Sequence, residues 1–130
     1  MLNKRPVCPA RIRRVPRQFS WVDHRLVRER RIDACTHASA ALYLFLITVS
    51  DAQGLSYYSD ATLMKRLHMD AFTLEDSRGQ LIHLGLVAFA RPIYQVLPLD
   101  PPASEPAPKR SAGDPQLLGD VFKRIMERSS

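Results

Sequence analysis

The chain has 130 residues, which is the size of one domain with tails, and its 45% hydrophobic and 25% charged residues exclude wholesale disorder. The longest apolar run, residues 38–49, is well short of the roughly 20 residues that cross a bilayer, and no apolar stretch typical of a secretory signal follows the first residues. Two cysteines in unlike contexts give no disulfide framework. We therefore expect a soluble, cytoplasmic protein without a membrane partner.

Positive charge is concentrated at the N-terminal end. Of the net charge of +6, residues 1–32 contribute +8, from ten basic and two acidic residues, whereas residues 33–100 contribute −3 and residues 101–130 contribute +1. Arginine binds phosphate bidentately and enters narrow minor grooves. The pattern favours nucleic-acid binding by an arm, and a solvated tail that only aids solubility is the alternative. The arm residues expected to contact DNA are Arg11, Arg13, Arg14 and Arg17.

The arm is expected to lead into a short helix. Three prolines in residues 1–18 disfavour helix and predict an extended or disordered arm. Trp21 and its apolar neighbours predict a short strand or a buried apolar anchor where the fold begins. Asp23 is expected to cap a short helix whose Leu26 and Val27 face inward.

A central buried helix is expected to begin after Thr36, a residue type that caps helix N-termini. Residues 40–47 are apolar almost all round, which indicates that this helix, reaching about Ser50, is buried in the domain. A turn that ends at Gly54 follows, and the aromatic-rich residues 55–58 predict a short strand.

Two further helices, separated by a tight turn, precede a β-hairpin. Ser59 is expected to cap the third helix and Asp70 the fourth, with Gly85 in the left-handed conformation that ends the fourth. The inward face of the fourth helix is predicted to consist of Leu74, Ser77, Leu81 and Leu84. Residues 86–89 and 93–97 then predict two strands that pair as a hairpin.

The C-terminal part has a different composition. Residues 98–115 hold six of the ten prolines, which predicts an extended linker, and residues 116–130 predict an amphipathic helix. Such a short helix with one apolar stripe needs a partner, so it folds back on its own domain, dimerises or docks on another protein, and the flexible tether favours the last. The residues expected to contact a partner are Leu117, Leu118, Val121, Phe122 and Ile125.

The order of predicted elements is that of a winged helix-turn-helix. Four stretches carry a resemblance to winged-helix proteins of bacterial mobile elements and of plasmid and phage replication initiators. They read PRQFSWVD at 16–23, ALYLFL at 41–46, GLSYYSDA at 54–61 and PIYQVL at 92–97. The resemblance implies a mainly α (α+β) domain over residues 19–97 and a role in transposition or replication. It also implies a transposase, a helper ATPase or a replication factor as partner.

The fourth helix is then the one expected to face DNA. Gln80 suits bidentate pairing with adenine, Arg78 suits guanine or a phosphate, and Thr73 shares the exposed face. The first turns, however, carry three carboxylates: Asp70, Glu75 and Asp76. These repel phosphates, although a cap and two acids near a helix N-terminus also have a structural explanation.

Affinity for DNA is therefore expected from the arm together with Lys65, Arg66 and Arg91, and the fourth helix adds selectivity at most. Gly79, in the middle of that helix, costs about 1 kcal/mol relative to alanine. A close backbone approach to DNA or to the first long helix would account for it, and a tolerated defect is the alternative.

No pattern typical of a catalytic or metal site is present. Cys35 and His37 have no second Cys/His pair at zinc spacing, and there is no phosphate-binding loop or nucleophile elbow. We expect no catalysis, no metal and no cofactor. Two functions remain: a non-catalytic adaptor or regulator that binds duplex DNA, which the basic residues favour, and a protein-interaction winged helix without DNA binding. The sequence leaves open whether the chain forms a homodimer.

Overall fold

A computed structural model describes residues 4–99. Apart from Pro98 and Leu99, the predicted linker and the predicted C-terminal helix lie outside these residues. The described part folds as four α-helices and three β-strands, which confirms an α+β class. The elements are α1 (Arg25–Arg28), α2 (His37–Val49), β1 (Leu55–Tyr57), α3 (Asp60–Leu67), α4 (Ala71–His83), β2 (Val87–Ala90) and β3 (Ile93–Val96). Two short 3-10 turns, Pro9–Arg11 and Arg31–Ala34, precede α2.

The three predicted caps of the longer helices are confirmed. Thr36, Ser59 and Asp70 each accept a hydrogen bond, at 2.8–3.1 Å, from the backbone N–H three residues later. These side chains satisfy N–H groups that have no partner within the helix. The hydrogen bonds from Thr73 hold the pKa of the Asp70 carboxyl below its usual value. Local side-chain chemistry therefore sets where α2, α3 and α4 begin.

The sheet contains one strand more than the predicted hairpin. Strand β3 lies in the centre and pairs antiparallel with both β2 and β1. The turn before β1 depends on Gly54, which has φ of +84°, and a Cβ added there would lie 2.6 Å from the carbonyl oxygen of Val96. The Val96 N–H in turn donates to the Gly54 carbonyl at 2.8 Å. Glycine is thus required where the turn meets the end of β3.

The core lies between α2, α4 and the sheet. The predicted inward face of α4 is confirmed, since Leu74, Ser77 and Leu81 are buried and Leu84 is half-buried. The other fully buried large side chains come from α2, α3, β3 and the segment entering β2: Leu42, Leu46, Leu63, Leu86, Val87 and Tyr94. Leu99 also belongs to this cluster, two residues beyond the domain end predicted at residue 97.

The segment around α1 differs from the prediction. Trp21 and Phe19 are 71% and 64% exposed, so they form neither a strand nor a buried anchor. Residues 19–22 pair with neither outer strand of the three-stranded sheet β1-β3-β2. Val27 is exposed rather than inward-facing, since a helix of four residues turns only Leu26 into the core.

Candidate nucleic-acid interface

The N-terminal arm presents its charge to solvent. Every side chain from residue 4 to residue 22 is exposed, and this segment contains no regular structure beyond the 3-10 turn Pro9–Arg11. The four predicted phosphate-binding arginines are all in it: Arg11, Arg13, Arg14 and Arg17. Within the described residues, no carboxylate forms an ion pair with any of these four arginines. Among residues 4–99, no acidic side chain therefore neutralises these guanidinium groups.

The arginines of the α1 region are in a different situation. Three of them pair with nearby carboxylates at 2.9–3.9 Å: Arg25 with Asp23, Arg30 with Asp33 and Arg31 with Glu29. Asp23 accepts hydrogen bonds from the Arg25 side chain and backbone, and these lower the pKa of its carboxyl. The N-cap position of α1 is His24 rather than the expected Asp23, but the Asp23 carboxylate accepts the first backbone N–H of the helix, that of Arg25, at 2.9 Å.

Arg78 lies inside the fold, so its predicted place at the edge of an exposed face is wrong. The side chain is 7% exposed. Its Nη1 donates to Asp60 Oδ1 at 2.9 Å and to the Tyr94 hydroxyl at 2.7 Å, and its guanidinium stacks 4.7 Å from the centre of the Phe89 ring. Arg78 is buried because Asp60, an acidic residue at the start of α3, faces α4 and binds its guanidinium. An arginine held in this way is not available to a guanine or a phosphate.

Asp60 is the carboxylate that faces both Arg78 and Arg91. The hydrogen bond from Arg78 holds the pKa of the Asp60 carboxyl below its usual value, and burial raises the pKa of the Tyr94 hydroxyl. Arg91, at the turn between β2 and β3, lies 3.8 Å from Asp60 and is largely exposed. Arg91 therefore keeps the solvent access that was predicted for it, although Asp60 offsets part of its charge.

Gln80 is likewise engaged within the fold. Its side-chain oxygen accepts a hydrogen bond from the Thr36 backbone N–H at 2.8 Å, and the Ser39 hydroxyl donates to the same oxygen. Gln80 thus joins α4 to the N-terminus of α2. Bidentate pairing with adenine needs both the oxygen and the nitrogen of the side-chain amide. The predicted adenine contact would therefore break the hydrogen bonds to Thr36 and Ser39. The position of Gln80 in the helical pattern does not indicate that these two hydrogen bonds exist.

The outer face of α4 is acidic and open. Glu75 and Asp76 are exposed, Phe72 is 75% exposed, and Thr73 is half-buried. A Cβ added at Gly79 would meet no atom within 4 Å. The predicted close approach of this glycine to the first long helix is therefore wrong, whereas an approach by an external partner stays a prediction.

The remaining predicted cations lie at separate places. Lys65 and Arg66 are exposed in the last turn of α3. Arg91 precedes the start of β3, whereas the base of the arm, residues 19–23, lies near Val96 and Leu97 at the other end of that strand. The structure therefore does not bring the base of the arm and Arg91 together.

A groove beside the base of the arm was not predicted. It has a volume of about 600 Å³, and Phe19, Trp21 and Val22 form one side of it. The opposite side comes from the C-terminal part of α2, the turn before β1 and residues 96–99. The sequence feature that could have indicated the groove is the apolar cluster at residues 19–22. Such a cluster is equally consistent with a buried element and with the wall of a groove.

We also looked for metal sites, membrane-spanning helices and known relatives. In the described range, no cluster of three or more His, Cys, Asp or Glu side chains is arranged to hold a metal ion. None of the helices between residues 4 and 99 has the length and apolar content required to cross a membrane. Neither a protein-family model, a curated protein nor a solved structure matches the chain.

Proposed function

We propose that this chain is a non-catalytic DNA-binding protein whose arm grips the phosphates of duplex DNA. The observation that supports this most directly is the contrast between two sets of arginines. The arm residues Arg11, Arg13, Arg14 and Arg17 are exposed and have no acidic partner within the described residues. Five arginines of the folded part, in contrast, lie within 4.0 Å of an Asp or Glu carboxylate: Arg25, Arg30, Arg31, Arg78 and Arg91.

The arm supplies affinity that does not depend on base sequence. Each phosphate neutralised by an arginine releases condensed counterions, so that log K falls with log salt at about −0.9 per neutralised phosphate. Lys65 and Arg66 on α3 add further exposed cations. We do not propose that Arg78 or Gln80 of α4 contacts the bases, because both side chains form hydrogen bonds within the fold.

A winged-helix architecture is part of the proposal. Its support is the order α2, β1, α3, α4, β2, β3, in which a tight turn separates α3 from α4 and a hairpin follows α4 directly. The pairing of β1 with β3 is compatible with that architecture. The resemblance to mobile-element proteins adds the proposal that the chain acts as an adaptor or regulator in transposition or replication. The protein partner named from that resemblance stays a prediction.

Binding of a fluorescently labelled duplex, followed by anisotropy across a salt series, tests the DNA proposal. We expect the double variant Arg13→Gln/Arg14→Gln to bind more weakly and to flatten the salt dependence by up to about 0.9 for each phosphate that is no longer neutralised. Lys109→Gln/Arg110→Gln removes the same charge from the proline-rich segment and serves as the matched control. Equal effects of the two variants, or no binding by the wild type at low salt, would overturn the proposal.

A second function is a protein-docking module, and one observation favours it. The outer face of α4 combines exposed Phe72 with Glu75 and Asp76, a surface better suited to a basic protein than to DNA. Duplex binding by the wild type separates the two functions, because a docking module binds no DNA, and Asp76→Asn tests whether α4 takes part in that binding. If α4 lies near the phosphates, the variant binds duplex DNA more tightly because one repulsion is removed. If α4 faces a protein instead, DNA binding does not change.

A further inference from the structure

The groove beside the base of the arm has apolar walls that the described fold leaves open. Phe19 and Trp21, both largely exposed, line it together with the buried Ile47 of α2. The Ser20 hydroxyl, 3.5 Å from the carbonyl oxygen of Thr48, ties the arm to α2 at this point. An exposed tryptophan and phenylalanine beside a cleft of this size mark a surface for an apolar partner.

The chain itself leaves the described fold at this groove. Val96, Leu97, Pro98 and Leu99 all line it, and Leu99 is the last residue described. The residues that follow therefore start at the groove's own wall. The sixteen residues 100–115 span up to about 50 Å when extended, which is ample for the chain to return to its starting point.

The segment after this tether has the chemistry that the groove requires. The sequence predicts a helix over residues 116–130 with one apolar stripe: Leu117, Leu118, Val121, Phe122 and Ile125. On such a helix Arg124 lies beside the stripe next to Leu117 and Arg128 lies between Leu117 and Val121, and the groove is lined by the exposed Asp51, which also accepts two backbone N–H groups. The two apolar surfaces and the charges beside them are complementary.

We propose that residues 116–130 of this chain occupy the groove beside Trp21 in the same molecule. A short tether holds a segment near its site at an effective concentration on the order of millimolar. A segment that binds too weakly to occupy the groove of a separate molecule can therefore still occupy the groove of its own chain. The tether alone led us to expect another protein as the partner, but a groove lined by residues 96–99, where the described chain ends, favours the chain's own segment over a second copy or a separate protein.

Trp21 makes the proposal measurable, because it is the only tryptophan in the chain. The experiment compares acrylamide quenching and the emission maximum of Trp21 in three full-length proteins: the wild type, Val121→Asp and Lys123→Gln. Val121→Asp places a charge on the apolar stripe, whereas Lys123→Gln makes the same change of net charge on the opposite face. Sedimentation gives the molecular mass under the same conditions, and circular dichroism shows that all three are folded.

We expect Trp21 to be shielded in the wild type and in Lys123→Gln, and to become readily quenched, with emission at longer wavelength, in Val121→Asp. All three proteins should sediment as monomers. Equal quenching in all three would overturn the proposal and leave the segment to another protein. Shielding that appears only as dimers form would overturn it in favour of a second copy.

Discussion

The guanidinium of Arg78 lies 2.9 Å from the carboxylate of Asp60 and thereby joins the middle of α4 to the first turn of α3. The same guanidinium donates to the hydroxyl of Tyr94, which is fully buried in the central strand. One side chain therefore connects three elements that are far apart in the sequence. It contributes to the fold rather than to the surface that would meet DNA.

Replacing Arg78 should destabilise the protein without weakening DNA binding. Arg78→Met keeps the apolar stem but leaves the Tyr94 hydroxyl without its donor, so we expect the free energy of unfolding to fall by about 1–3 kcal/mol. Urea denaturation followed by circular dichroism measures this. Arg66→Gln, at an exposed site, should change stability by less than about 0.5 kcal/mol. An Arg78→Met protein as stable as the wild type but with weaker DNA binding would contradict the internal role.

The Asp60 carboxylate should make stability depend on pH in the acid range. Hydrogen bonding from Arg78 lowers the pKa of Asp60 from 3.8, so the folded state favours the ionised form. Its contribution is present above pH 3.8 and is lost as the pH falls through the lower pKa of the folded state.

The measurement for Asp60 is the difference in unfolding free energy between the wild type and Asp60→Asn from about pH 7 to about pH 3. We expect the wild type to be more stable at neutral pH and the difference to shrink below pH 3.8. Asp33→Asn is the control, because its pair with Arg30 is 3.9 Å long and exposed. A difference that stays constant over the whole acid range would show that Asp60 does not act through its charge.

The stability of the protein should depend on the hydrogen-bond acceptor in the side chain of residue 80. Gln80→Ala leaves the Thr36 N–H at the start of α2 without its acceptor, and we expect a loss of about 1 kcal/mol of stability. Gln80→Glu keeps an acceptor and adds negative charge near a helix N-terminus, so it should be at least as stable as the wild type. Thermal unfolding of both variants tests this, and equal losses in the two would contradict it.

Gly79→Ala should stabilise the protein. The site has room for a Cβ, and alanine in a helix interior is favoured over glycine by about 0.8–1.0 kcal/mol. Gly85→Ala serves as the contrast, because Gly85 has φ of +74° and alanine there is strained. If Gly79→Ala is more stable yet binds duplex DNA less well, α4 approaches DNA closely. If Gly79→Ala is less stable than the wild type, the account of this glycine is wrong.

Local signals in the sequence predicted much of the helical part. The caps at Thr36, Ser59 and Asp70 and the inward face of α4 depend on residues a few positions apart, where spacing and chemistry are sufficient. The positions of Arg78 and Gln80 depend on partners far along the chain, Asp60 and Thr36, that only the packed fold brings close. A helical pattern shows which face a residue shares, not which distant side chain meets it.

The same limit applies to the base of the arm. A tryptophan in an apolar cluster is more often buried than exposed, and the sequence alone offers no indication that residues 19–22 stay outside the sheet. Their position beside the β1-β3-β2 sheet, with Trp21 exposed among the described residues, is a long-range property of the chain. The candidate arm residues needed no such information, because their exposure follows from a proline-rich composition.

The central place of β3 also bears on aggregation. It leaves the two outer edges of the sheet to β1 and β2, which are only three and four residues long. An edge strand exposes unpaired N–H and C=O groups that another chain can extend into a larger sheet, and very short edges are poor templates for this. The shortness of β1 and β2 thus limits edge-to-edge association between copies when the protein is concentrated.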